Sequence, residues 1–84
     1  MLSIHYFASI REALDRDREE LELPAGVNSV QDLIDHLLLA NPHFATVFSE
    51  GNKVLVAINQ TVVDRDHPVA ELDEVAFFPP MTGG

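Results

Sequence analysis

Only one stretch of this sequence has the pattern of a long helix. Val30, Leu33, Ile34, Leu37 and Leu38 recur at i, i+3, i+4, i+7 and i+8, which draws one apolar stripe along a helix. Ser29 stands ready as its N-cap. Asn41-Pro42 stops it, because the residue before a proline is pushed out of helical backbone angles. The other apolar runs are shorter, so the fold must be built by laying strands on this one element.

Those strands are legible in part. Leu2, Ile4 and Tyr6 alternate with Ser3, His5 and Phe7, the period of a strand with one core face. Ser9-Ile10-Arg11-Glu12 reads as a capping box opening a short helix, with Ile10, Ala13 and Leu14 inward. Residues 15–20 read as a charged loop and Leu21 with Leu23 as a second strand, ended at Pro24-Ala25-Gly26. Asn41 and Pro42 can cap and start a second short helix that buries Phe44, Val47 and Phe48. Val54 to Ile58 is a continuous apolar run, expected as a central strand covered on both faces. Asn59-Gln60 marks a turn into Thr61-Val62-Val63, and Asp64 to Pro68 is a polar loop. Val75 to Phe78 forms the last strand, which Pro79-Pro80 must end. Two antiparallel strands on one helix, with a later strand between them, describe an α+β layer of the β-grasp type.

Eighty-four residues suffice for one domain, which buries about 63% of the unfolded chain's surface. With no cysteine, disulfides, thiolate metal sites and a cysteine nucleophile are excluded. A net charge of −9 speaks against nucleic acid and for partners with basic surfaces. No apolar run approaches a membrane span and the N-terminus lacks a signal-peptide pattern, so no membrane contact and a cytoplasmic location are expected.

The chemistry within the body of the chain is sparse. His5, His36, His43 and His67 form no ligand pair and read as structural; no metal site is expected. Asp64-Arg65-Asp66 lacks the glycine and terminal glutamate of a calcium loop. No glycine-rich phosphate loop is present, so no bound cofactor is expected.

The C-terminus differs. The chain ends Phe77-Phe78-Pro79-Pro80-Met81-Thr82-Gly83-Gly84. Two terminal glycines arise by chance in about one chain in two hundred, so the pair alone says little. The di-proline makes more of it by stiffening the exit, and the last six residues can reach roughly 20 Å beyond the sheet. Glycine has no Cβ, so Gly83-Gly84 can thread a channel closed to other residues. The expected division is a β-grasp domain over 1–78 and an extended, flexible tail over 79–84. A terminal carboxylate on a thin lead is suited to chemistry in another protein's active site. Adenylylation would make it a mixed anhydride; a persulfide attacking it leaves a thiocarboxylate, an amine leaves an isopeptide. The residues alone do not choose between these.

Three stretches, Ile4 to Glu12, Val56 to Gln60 and Asp73 to Gly84, resemble the molybdopterin synthase small (sulfur carrier) subunit family over the whole chain. The resemblance implies a ubiquitin-like β-grasp fold and the small subunit of a sulfurtransferase, with no autonomous active site. It implies a ubiquitin-activating-like adenylyltransferase that uses ATP on the Gly84 carboxylate, a thiocarboxylate made there, and a large synthase subunit. In that subunit, assembled as a heterotetramer, the sulfur attacks cyclic pyranopterin monophosphate to build the dithiolene of molybdopterin. Gly84 is then the reacting residue, and Gly83, Thr82, Met81, Pro80 and Pro79 form the inserted tail. Phe78 is assigned to the partner interface and Phe77 to the core, with Arg11 and Phe7 as further interface residues. Leu72 stands where the family usually has glycine, which would strain a turn needing positive φ. A thiamine-pathway sulfur carrier and a ubiquitin-like modifier or docking module are the alternatives.

Overall fold

The computed structural model describes residues 1–49 and 53–80. Its strands are β1 (Leu2–Tyr6), β2 (Arg18–Leu21), β3 (Leu55–Ile58), β4 (Thr61–Val63) and β5 (Glu74–Phe78). Its helices are α1 (Ala8–Leu14), α2 (Val30–Ala40) and α3 (Ala45–Phe48), with a 3₁₀ turn over Pro42–Phe44. The five strands form one mixed sheet in the order β2-β1-β5-β3-β4. β1 and β5 run parallel and every other pair antiparallel. This is the expected β-grasp arrangement.

Strand alternation divides the sheet. Leu2, Ile4, Tyr6, Val56, Ile58, Val75 and Phe77 are buried and share one core with Val30, Leu33, Ile34 and Leu37 of α2. Phe44, Val47 and Phe48 close that core, as expected from their spacing. Tyr6 and Phe77 stack at 6.0 Å, and Phe48 meets Phe77 edge-on at 5.1 Å.

α2 begins as the sequence predicts. The Ser29 hydroxyl accepts from the Asp32 N–H at 3.2 Å, and the Asp32 carboxylate accepts from the Ser29 and Asn28 N–H groups. Those bonds, led by the one from Asn28, hold the Asp32 carboxyl below its ordinary pKa, with desolvation opposing them. The Asp64–Pro68 loop completes the start of the helix: the Val30 and Gln31 N–H groups donate to the His67 and Arg65 carbonyls.

Several expectations are corrected. Val54–Ile58 was expected as the central strand, but β5 is central and β3 lies between it and the edge strand β4. No later strand separates the first two, because β1 and β2 pair directly, Leu2 with Leu21 and Ile4 with Glu19. The second strand also starts sooner, at Arg18 rather than after Glu20, and leaves out Leu23. The charges are tolerated because β2 is an edge. On the core side Glu19 accepts from the Tyr6 hydroxyl at 2.7 Å and from Arg16 at 2.8 Å. The Ser9–Glu12 capping box is absent: α1 starts at Ala8, after Phe7, with no side-chain cap. The Phe7 N–H donates to the Phe77 carbonyl at 3.1 Å, so the strand ladder runs to Phe7 and the chain turns at Ala8, at φ 52. Asn41 caps backward, donating its side-chain N–H to the Leu37 carbonyl at the end of α2. Leu72 is not among the residues with positive φ and is 82% exposed, so its turn carries no such strain.

Candidate functional site: an open sheet face and the foot of the tail

The sheet has a second face that the helices leave uncovered. Ser3, His5, Leu55, Ala57, Ala76 and Phe78 alternate away from the core. The register sets Leu55 beside Phe78 and Ala57 beside Ala76. Phe7 follows Tyr6, the partner of Phe77, so it falls beside Phe78. Phe7, Phe78 and Leu55 therefore form an apolar row across the end of the sheet from which residues 79–84 depart. Phe7 is 47% exposed and stacks on His5 at 6.3 Å. Phe78 is half-buried while Phe77 is fully buried, so the two phenylalanines lie on opposite faces as expected.

At the same end, a groove of about 240 Å³ lies at the foot of the tail. Ile10, Ala13, Val47, Val54, Lys53 and Pro79 are among its lining. Arg11 is exposed but lies apart, in a shallow hollow shared with Glu12, Asp15, Arg16 and Asp17. The structure thus brings Phe7 and Phe78 together and leaves Arg11 with its charged neighbours. Pro79 and Pro80 are half-buried. Met81, Thr82, Gly83 and Gly84 lie outside the described residues.

The remaining polar groups have local duties. His67 sits with Nδ1 at 2.8 Å from the Pro68 carbonyl, and the His43 ring meets Phe44 edge-on at 4.9 Å. Among the described residues no three of His, Asp and Glu are gathered to hold a metal. No helix among them is long and apolar enough to cross a membrane. Tyr6 is the titratable group most strongly perturbed. Burial first, then its hydrogen bond to Glu19, pushes its phenol far above the ordinary value. That network joins β1 to β2 and serves the fold, since Arg16 also lies over the Phe44 ring at 5.2 Å.

Sequence reasoning missed Leu55, Ala57, Ala76 and Lys53 as parts of this end of the molecule. The unbroken run Val54–Ile58 hid which of its residues face outward. Lys53 carried no signal until the fold set it in one groove with Pro79.

Comparison with known proteins now bears on the whole arrangement. The ThiS family model matches residues 4–84. The chain belongs to the ThiS family. It is 40% identical, over the full length of both chains, to a molybdopterin synthase sulfur carrier subunit of Escherichia coli (strain K12). Among solved structures it resembles a putative molybdopterin converting factor subunit 1 from Pyrococcus furiosus. That likeness has a TM-score of 0.75 and 32% identity, covering 95% of this chain and 97% of the other. It also resembles SAMP1 from Haloferax volcanii, with a TM-score of 0.72, 27% identity, and coverage of 99% and 98%. The molybdopterin synthase sulfur carrier family named by the sequence resemblance is therefore the right one.

Proposed function

We propose that this chain is the sulfur carrier subunit of a molybdopterin synthase. The observation that carries the reading is the end-to-end match to a sulfur carrier subunit, at 40% identity with no part of either chain left over. The chemistry follows from the terminal residue. A carboxylate is a poor electrophile until a partner adenylyltransferase, using ATP, turns it into an acyl adenylate. The outer sulfur of a donor persulfide attacks the carbonyl carbon and AMP leaves, and a thiol of the donor then cleaves the resulting acyl disulfide, forming a donor disulfide and leaving a thiocarboxylate on Gly84. Its sulfur is delivered to cyclic pyranopterin monophosphate inside the large subunit, and two deliveries build the dithiolene. Pro79 to Gly83 serve as the slim lead into that subunit.

In this reading the carrier supplies the nucleophilic sulfur and the docking surface, and the large subunit supplies the pocket. Phe7 and Phe78, adjacent on the open face, are the anchors for the large subunit. Arg11 contributes at the edge of the contact. The net charge of −9 is complementary to basic partner surfaces.

A second reading, a ubiquitin-like modifier, is favoured by one observation: the likeness to SAMP1, a small archaeal modifier protein in name. The match to the ThiS family leaves a thiamine-pathway carrier in view, and the end-to-end relative ranks it below the first reading. Co-expression with an activating enzyme and a sulfur donor, followed by intact-mass measurement, separates a sulfur carrier from a modifier. Exchange of one oxygen for sulfur at Gly84 is expected. Ladders of larger conjugates without that exchange would move the assignment to the modifier.

A further inference from the structure

We propose that Lys53 is an internal acceptor for the activated C-terminus, so that an activated carrier left without sulfur closes on itself as a Lys53–Gly84 isopeptide. The inference rests on the reading that Gly84 is activated, and goes beyond it by assigning a modification site within the chain.

The chain has two aliphatic amines, the Met1 α-amine and the Nζ of Lys53, its single lysine. The topology treats them oppositely. β1 and β5 are parallel with Ser3 beside Glu74, which sets Met1 level with residue 72. That is about 20 Å back along the sheet from Phe78. The last four residues span at most about 14 Å when fully extended, so they cannot return to Met1. Its amine is also held 3.7 Å from Glu71.

β3 is antiparallel to β5, with Leu55 beside Phe78. That pair ends the ladder, so the residue that enters β3, Val54, and the residue that leaves β5, Pro79, lie at the same end of the sheet. Lys53, Val54 and Pro79 do line one groove. Lys53 is exposed and has no ion pair among the described residues. Lys53 therefore stands at the groove that Pro79 lines, five residues before the C-terminal Gly84. A tether of a few residues gives an effective concentration in the millimolar range, far above that of amines on other molecules at micromolar protein.

The step balances without a further reactant. The neutral Nζ lone pair attacks the Gly84 carbonyl carbon of the acyl adenylate and a C–N bond forms. The C–O bond to the AMP phosphate breaks, AMP leaves with the electron pair, and the extra proton on nitrogen passes to solvent. The product has no free C-terminal carboxyl and can take no sulfur.

The test uses the full chain with Gly84 as an α-thioester, made by thiolysis of an intein fusion, so no activating enzyme is involved. At mildly alkaline pH the wild type should yield a monomer lighter than the free acid by one water. Its rate should be independent of protein concentration, and a tryptic map should join Lys53 to Gly84. Lys53→Arg keeps the charge and should hydrolyse to the acid, with thioester loss about tenfold slower or more. Equal decay of both chains to the acid would overturn the proposal. So would closure onto Met1, or Lys53 linkage only between chains at a rate rising with concentration. The sulfur-exchange experiment reads the carrier assignment separately, so either conclusion can fail alone.

Discussion

Phe77 and Phe78 are neighbours of identical chemistry, and the structure gives them opposite consequences when truncated. Phe77 is fully buried and packs on Tyr6 at 6.0 Å and Phe48 at 5.1 Å. Phe77→Ala removes that burial and leaves a cavity, a cost of about 3–5 kcal/mol. A domain of this size loses roughly 4–8 °C per kcal/mol, so a fall of at least about 12 °C is expected. Phe78 is half-buried on the open face. Phe78→Ala forfeits about half of a side-chain transfer free energy, near 1 kcal/mol, with no closed cavity because solvent fills the space. Its fall should be about 4–8 °C. Loss of an aromatic anchor costs an interface about 2 kcal/mol or more, roughly a thirtyfold weaker Kd. Thermal unfolding by circular dichroism and titration calorimetry against the large subunit read the two effects. If Phe78→Ala melts as early as Phe77→Ala, the assignment of faces is wrong. If it binds unchanged, the open face is not the docking surface.

Two further expectations concern the fold. Tyr6→Phe keeps the ring and removes the bond to Glu19, at a cost of about 1–2 kcal/mol; an unchanged melting temperature would contradict the role of that bond. Because the fold raises the Tyr6 pKa, the native chain holds the phenolic proton more tightly than the unfolded one. The associated stability is complete below pH about 10 and declines as pH rises beyond it. Tyr6 is the single tyrosine, so phenolate absorbance should appear only as the chain unfolds; a normal titration of the native protein would refute this. At the β3–β4 turn Asn59 and Gln60 have φ of 50 and 71, angles at which a Cβ is unfavourable by roughly 1 kcal/mol. Gln60→Gly should therefore raise the melting temperature by a few degrees. A fall would show that the Gln60 side chain contributes more than its strain costs.

The sequence by itself determined the pieces and their inner faces. The stripe from Val30 to Leu37, the Ser29 cap, the alternation of Leu2, Ile4 and Tyr6, and the opposition of Phe77 to Phe78 are local patterns. They follow from helix and strand periods that act within a few residues. The terminal Gly83-Gly84 is likewise read directly from the chain. Who lies beside whom was decided only in the tertiary structure. Apolar periodicity tells a strand which face to bury and nothing about its neighbour, since backbone hydrogen bonds carry no residue identity. So Val54–Ile58 looked central although β5 holds the centre, and Glu19 looked like loop although Tyr6 and Arg16 receive it in an edge strand. The same blindness concealed the tail's surroundings. Phe7 falls beside Phe78 on the open face through parallel pairing of β1 with β5. Lys53 reaches the foot of the tail, and Met1 is carried to the far end, because β3 runs against β5 and β1 runs with it.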